Sequence, residues 1–359
     1  MTIAMVGTRG VPADYSGIEE AIEEVSARLV NKGHKVIVYC RASDNRQKIY
    51  RGIERVILPT IETKHLGTIV HVFLATLHLL FKKIDIVHYH ALGPSALSFV
   101  PRLLGKKTIV TIHGLDWQRK KWGVVARVFL RLCEYSSIFF PNKTIVISNT
   151  LKDYFERKFK RGVYYIPNGI KVSPKGKTEG LDKYGLKENN YILFVGRLVP
   201  EKGVHYLIKA FNELNTDMRL AIAGKGSFTD SYVRLLREMS NPRVKFLGFI
   251  PNERLKALYE NAFLFVLPSE MEGLSISLLE AMGYGKCVIA SNLPECQEVI
   301  GNYGFFFKAK DYKDLSRQLQ RLINSPEIAR ETGIKAKAYI TQRYDWDRIT
   351  DEIERLYSL

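Results

Sequence analysis

Four side chains stand out for the chemistry they can do together: Glu272, Glu280, Arg197 and Lys202. The two glutamates stand with seven residues between them in Pro268–Gly285, PSEMEGLSISLLEAMGYG. The apolar run before it, Phe263-Leu264-Phe265-Val266-Leu267, predicts a buried parallel strand. A helix is predicted to start near Ser275, with Ile276, Leu278, Leu279 and Met282 as its buried side and Gly283 and Gly285 closing it. Gly273 lets backbone come close to a ligand. The free amides of Gly273, Leu274 and Ser275 at the helix start suit an anion. Glu272 precedes that end and Glu280 lies two turns beyond it, so each carboxylate can reach a different hydroxyl-rich part of one ligand. A diphosphate between them meets the amides.

The segment Gly196-Arg197-Leu198-Val199-Pro200-Glu201-Lys202-Gly203 follows another strand-like run and opens a helix. A guanidinium forks onto two phosphate oxygens and an ammonium adds a point charge. Together Arg197 and Lys202 can hold a diphosphate and stabilise the charge that builds as it leaves. The plain alternative is a βα turn with two solvated cations. A third anion-friendly place is the long first loop, Gly7 to Glu20, where Gly17 stands at a helix start and amides near Ser16 and Gly17 can meet a phosphate or a sugar. Glu19 and Glu20 need no role there, because acids favour a helix N-terminus.

Parallel α/β sheets must position these groups, since strand-like and helical runs alternate from end to end. Strands are predicted at Ile3–Gly7, Lys35–Cys40, Asp85–His90, Thr108–His113, Thr144–Ser148 and Val163–Ile166, and Ile18–Lys32 reads as an amphipathic helix. A second series runs through Tyr191–Arg197, Arg219–Gly224, Val244–Phe249, Phe263–Pro268 and Lys286–Ser291. The predicted organisation is an N-terminal Rossmann-like domain over 1–169, a polar linker over 170–190, and a second Rossmann-like domain over 191–344. Two such sheets in series predict a cleft between them. There is no short-period repeat.

These motifs resemble retaining nucleotide-sugar glycosyltransferases of the GT-B fold, glycosyltransferase family 4. Glu272 and Glu280 match that family's E-x7-E element, and Gly196–Gly203 is similar to its GR-x3-EKG motif. The resemblance covers nearly the whole chain. It implies an N-terminal acceptor domain completed by a C-terminal helix, about 345–359, and a C-terminal donor domain. It implies an NDP-sugar donor, most readily UDP-linked, and a glycan or lipid-linked acceptor. Arg197, Lys202 and the amides of Gly273–Ser275 would stabilise the leaving diphosphate, Glu272 would bond sugar hydroxyls, and Glu280 the ribose. Carried over residue by residue, His113 in Thr111–Trp117 would contact the donor sugar, with Asp116 nearby for sugar or acceptor. Gly248 in Lys245-Phe246-Leu247-Gly248-Phe249 would let backbone bond the base edge. Asn149, in Ser148-Asn149-Thr150, is a sugar or acceptor candidate, although this triplet reads first as a helix cap. The family usually has a Gly-Gly pair where this chain has Ser16-Gly17. The segments GTRGVPADYSGIEE and HGLDWQRKKW look most like enzymes of bacterial surface-polysaccharide synthesis, rhamnosyltransferases among them. Asp345-Trp346-Asp347 mimics a metal motif of another glycosyltransferase fold but precedes a C-terminal helix, where capping is its expected role. No metal or other cofactor is expected.

Composition narrows the setting. The 359 residues suffice for two domains. Cys40, Cys133, Cys287 and Cys296 form no metal-ligand spacing and suit a reducing cytosol. The N-terminus runs straight into a strand, so no signal peptide is expected. The apolar stretch Leu66–Phe81 is shorter than the ~20 residues a bilayer span needs, and a core or interfacial helix is expected. Of the net charge of +17, residues 1–170 carry +13, from 26 basic and 13 acidic residues. This excess, at Lys82-Lys83, Lys106-Lys107, Arg119-Lys120-Lys121 and Lys152–Arg161, suits an anionic membrane face, nucleic acid, an acidic substrate or only water. The expected location is cytoplasmic, at most peripheral on the inner membrane face. A nicotinamide oxidoreductase is the first alternative, but its first loop should read G-x-G-x-x-G, and Arg41 stands where a ribose-binding acid belongs. A nucleic-acid binder is the second, but no recognised module is present and the aromatics do not interleave with the basic residues.

Overall fold

The computed structural model describes residues 1–13, 17–41, 47–61, 66–119, 122–170, 181–227 and 229–359. Ser16, Lys120, Lys121 and residues 171–180 of the predicted linker therefore lie outside the described residues. The chain divides into two compact units, Met1–Gly169 with Trp346–Leu359, and Ile170–Asp345.

In unit 1 the apolar runs become strands β1 (Thr2–Val6), β2 (Lys35–Arg41), β3 (Ile49–Tyr50), β4 (Ile53–Leu58), β5 (Ile86–His90), β6 (Lys107–Ile112), β7 (Lys143–Val146) and β8 (Tyr164–Tyr165). They form one sheet in the order β3-β4-β2-β1-β5-β6-β7-β8, parallel except for the β3–β4 hairpin. Central strands such as β1 and β5 are buried on both sides because helices cover both faces. Those helices are α1 (Gly17–Asn31), α2 (Leu66–Leu80), α3 (Leu92–Ser95), α4 (Phe99–Leu103), α5 (Val124–Phe139) and α6 (Asn149–Phe159). Right-handed crossovers put α1 on one face and α2 to α6 on the other. The hairpin β3–β4 escaped the sequence pattern because Glu54 and Arg55 interrupt its apolar run.

In unit 2 the strands are β9 (Tyr191–Val195), β10 (Arg219–Ala223), β11 (Val244–Gly248), β12 (Leu264–Leu267), β13 (Cys287–Ser291) and β14 (Phe305–Phe307). Their order is β11-β10-β9-β12-β13-β14, all parallel. Helices α7 (Val204–Asn212), α8 (Asp230–Glu238), α9 (Asn252–Asn261), α10 (Ile276–Gly283), α11 (Pro294–Ile300), α12 (Tyr312–Asn324) and α13 (Pro326–Arg343) pack around it. The core joins Phe194, Leu207 and Phe211 to Val266, Ile289 and Leu319. β14 is too short to show a pattern in sequence.

The last helix, α14 (Trp346–Ser358), belongs to unit 1. Its apolar stripe, Trp346, Ile349, Ile353 and Leu356, fills the core beside Ile22, Val25 and Leu29 of α1. Ion pairs seal the seam, Arg28 to Asp347 at 2.6 Å and Lys32 to Glu354 at 2.7 Å, and the His34 ring hydrogen-bonds Glu354 at 2.6 Å. Asp347 of the Asp-Trp-Asp triplet thus meets an arginine, and Trp346 is buried. No described helix is long and apolar enough to cross a membrane. All four cysteines are buried thiols.

Candidate active site

The strand order of unit 2 explains why motifs about 70 residues apart meet. From β9 the chain builds β10 and β11 to one side, then returns to add β12 on the other. The loops leaving the C-terminal ends of β9 and β12 therefore open side by side, at the switch point where open sheets bind ligands. These loops are 196–203 and 268–275.

They are tied together. The Glu270 amide donates to the Glu201 carbonyl at 2.8 Å. Lys202 Nζ lies 2.6 Å from Glu272 Oε1, and Ser269 Oγ donates to the same oxygen at 2.5 Å. The Tyr206 hydroxyl donates to Glu270 at 3.2 Å. Gly203 has φ +66°, and a Cβ there would lie 1.9 Å from the Pro268 carbonyl oxygen. Only 7% of the Glu272 side chain and 17% of Lys202 remain exposed, so this ion pair sits largely out of water. Arg197 is half-buried on the same loop as Lys202, and Gly196 precedes it.

Helix α10 begins where the sequence places it. Ser275 is its N-cap, accepting from the Leu278 amide. With that hydroxyl turned to the cap and Leu274 buried, Gly273, Leu274 and Ser275 offer a ligand chiefly their backbone. Glu280 lies further along α10 and accepts a hydrogen bond from Tyr259 of α9 at 2.9 Å, while Tyr259 stacks on Tyr284. Burial pushes the Glu280 carboxyl up to about 7, with the tyrosine bond pulling the other way. The folded protein therefore holds this proton more tightly than the unfolded chain. The stabilisation is full below about pH 4.5 and is lost as pH rises through about 7. Glu280→Gln is expected to flatten the melting temperature between those values. A variant whose melting temperature still falls over that range as steeply as the wild type's would show that another group carries the dependence.

Gly248 ends β11, two strands from β9, and its carbonyl accepts from the Gly224 amide at 2.7 Å.

In unit 1 the strand order reverses between β1 and β5. Residues 7–13 after β1, the start of α1 at Gly17 and the C-terminal ends of β5 and β6 lie at this switch point. His90 ends β5 and His113 follows β6, with His90 Nδ1 3.2 Å from His113 Nε2. His88, two residues earlier, is held by Tyr357 at 2.6 Å and Thr111 at 2.7 Å. Burial lowers His113 to about 4 and His88 to about 3, so both imidazoles are neutral at pH 7. His113 can therefore offer a neutral hydrogen bond rather than a charge. Its Nδ1 is buried and has no partner among the described residues. Asp116 pairs with Arg119 at 3.0 Å. Beneath the histidines lies a cavity of about 30 Å³, lined among others by Met5, Ile22 and Trp346, with room for a water and not for a sugar. Asn149 opens α6 behind its cap Ser148, whose hydroxyl accepts from the Leu151 amide at 3.3 Å.

Within unit 2 the fold thus gathers Lys202, Glu272, Gly273 and Ser275 at one switch point, with Arg197 and Gly196 on the Lys202 loop. Within unit 1 it places Gly17 and His113 at the other. Sequence reasoning missed Ser269, Glu270, Tyr206, Tyr259 and His90. Of these, Ser269 and Glu270 carried a signal, their positions inside Pro268–Gly285. The tyrosines arrive from other helices.

Two family models match the chain, "Glycosyltransferase Family 4" over residues 15–173 and "Glycosyl transferases group 1" over residues 177–339. An uncharacterized glycosyltransferase of Methanocaldococcus jannaschii is 24% identical over 76% of this chain and 75% of that protein. The O-antigen chain mannosyltransferase B of Escherichia coli is 30% identical over 54% of this chain and 51% of its own length. Among solved structures, sucrose-phosphate synthase from Thermosynechococcus elongatus superposes with TM-score 0.87 at 21% identity, covering 99% of this chain and 98% of that one. Anabaena HepE, solved in complex with UDP and glucose, superposes with TM-score 0.84 at 21% identity, covering 100% of both chains. Matched in both halves and built on two parallel sheets, each with its motif at the switch point, the chain belongs to the GT-B glycosyltransferases of family 4.

Proposed function

We propose that this glycosyltransferase is a retaining enzyme that moves a hexosyl or deoxyhexosyl group from a UDP-sugar to a glycan or lipid-linked acceptor in surface-polysaccharide or glycoconjugate synthesis. The observation that carries the proposal is the joining of Lys202 and Glu272 beside the amides of α10. In that arrangement Lys202, Arg197 and the amides of Gly273 to Ser275 face the diphosphate, while Glu272 lies one hydrogen bond away to hold the sugar hydroxyls. Glu280 takes the ribose, Gly248 the base edge, Gly17 and His113 the transferred sugar, and Asp116 and Asn149 the acceptor side.

The bond from the anomeric carbon to the diphosphate oxygen breaks, and the acceptor oxygen bonds that carbon on the same face. The acceptor proton passes to an oxygen of the departing diphosphate, so no separate base is needed. Fixed cations and amides aimed at the growing charge lower the barrier, with no metal ion assigned. The likeness to an E. coli O-antigen mannosyltransferase and to a UDP-bound fold neighbour supports this donor and acceptor class.

A thermal-shift panel of UDP, GDP, ADP and dTDP sugars tests the donor. A ligand at a hundred times its Kd adds about 2.7 kcal/mol of stability. UDP-sugars are expected to give the largest shift, and a flat panel would sink the proposal. NMR of the product's anomeric configuration tests retention, and activity is expected to survive EDTA.

A further inference from the structure

Unit 1 leaves an unusual surface on the outer side of its α2 to α5 layer. On α5, Val125, Val128, Leu132, Tyr135 and Phe139 are all exposed, and their alternating spacing of three and four places them in one row. Val125 is 84% exposed, and it is the contiguous row, not any single residue, that marks this face. On α2 a second row, Ile69, Phe73 and Leu77, recurs every fourth residue and leads to Phe81, which is 87% exposed. Leu103 and Leu104 at the end of α4, which packs on α2, add to it.

The charges exposed on these helices have one sign. α2 and α4 contain no acid, and the single acid of α5, Glu134, is buried and held by Lys158, Tyr154 and Trp117. Arg127 is exposed on α5, Lys82 and Lys83 follow Phe81, and the Arg161 guanidinium lies 4.5 Å over the Phe139 ring. Long basic side chains beside apolar and aromatic rows keep their heads at a polar boundary while their stems lie on apolar surface. A second copy of this chain would bring the same cations against each other without acids to meet them. An anionic bilayer supplies both an apolar interior and negative headgroups.

We infer that the outer face of α2, α4 and α5 docks on an anionic lipid surface. It extends the glycosyl-transfer proposal by placing the enzyme where a lipid-linked acceptor would lie, and it stands on the surface rather than on the active site.

The test is co-sedimentation of the full chain with vesicles of phosphatidylcholine and phosphatidylglycerol, against phosphatidylcholine alone, at low and high salt. Binding is expected only with the anionic lipid and weakens with salt. The double variant Val125→Glu, Leu132→Glu is expected to bind at least about tenfold more weakly, since two charges replace buried apolar area. Leu235→Glu, an exposed apolar site in unit 2, should bind like the wild type. UDP binding and the melting temperature of each variant report separately on the donor site and on folding. Unchanged vesicle binding by the double variant would overturn the inference. So would a wild type that ignores anionic vesicles at low salt, or one that instead self-associates through this face.

Discussion

Lys202→Ala is expected to lower kcat on the order of a hundredfold to a thousandfold, with a much smaller change in donor Kd. The ammonium sits on the loop of β9, paired with Glu272 just before α10, where the proposed reaction would build diphosphate charge. A preorganised stabiliser of developing charge is worth about 2.7–4 kcal/mol. The same change leaves Glu272, 7% exposed, without its cation. Breaking such a pair costs about 3–5 kcal/mol of stability, so the variant must be assayed well below its lowered melting temperature. The two effects separate in the double variant Lys202→Met, Glu272→Gln. Removing both charges restores much of the stability but none of the turnover. The measurement is kcat beside UDP Kd and melting temperature, with Glu280→Gln in parallel. Near-normal turnover in Lys202→Ala, together with its abolition in Glu280→Gln, would reverse the assigned roles.

Gly203→Ala is expected to have the second largest effect. Its added methyl would lie 1.9 Å from the Pro268 carbonyl oxygen, a backbone atom of the facing loop. Either loop must move by an ångström or more, which separates Lys202 from Glu272. A displacement of that size costs roughly a hundredfold in rate, and the overpacking adds about 1–3 kcal/mol of lost stability. Gly105→Ala is the control. Gly105 also has a positive φ, +76°, but nothing within 4 Å of a Cβ. It should show the backbone penalty of roughly 1 kcal/mol and full activity. Equal turnover in the two variants would mean that the loop contact does not position the site.

What the sequence disclosed follows from how local each signal is. The strand at 264–267, the cap Ser275 and the stripe on α10 depend on near neighbours, and they read cleanly. β9 and β12 were each visible, but their adjacency is a property of sheet order. No spacing shows that Lys202 will meet Glu272, which lies 70 residues downstream, and only the resemblance linked the two motifs. The Tyr259 bond to Glu280 arrives from a neighbouring helix and left no trace. β3 and β14 were lost because short edge strands have too few residues for a period, and β4 because Glu54 and Arg55 break its apolar run. The basic excess of the first half was plain, but its partner rows on α2 and α5 look like ordinary core stripes until burial is known.

The way α14 completes unit 1 has a consequence for how a ribosome delivers this protein. The core around Met5, Ile22 and Val25 is filled by Trp346, Ile349 and Ile353, and the buried His88 waits for Tyr357. Unit 2, residues 170–345, is synthesised between the two parts. At about 5–20 residues per second, these residues occupy roughly 10–35 s of translation. Through that interval the nascent first sheet carries an uncovered apolar face. The second unit, continuous in sequence, emerges with everything its own core requires. The unit begun first is therefore closed only after the second, and the growing chain is most exposed to holdase chaperones and to aggregation just before α14 emerges.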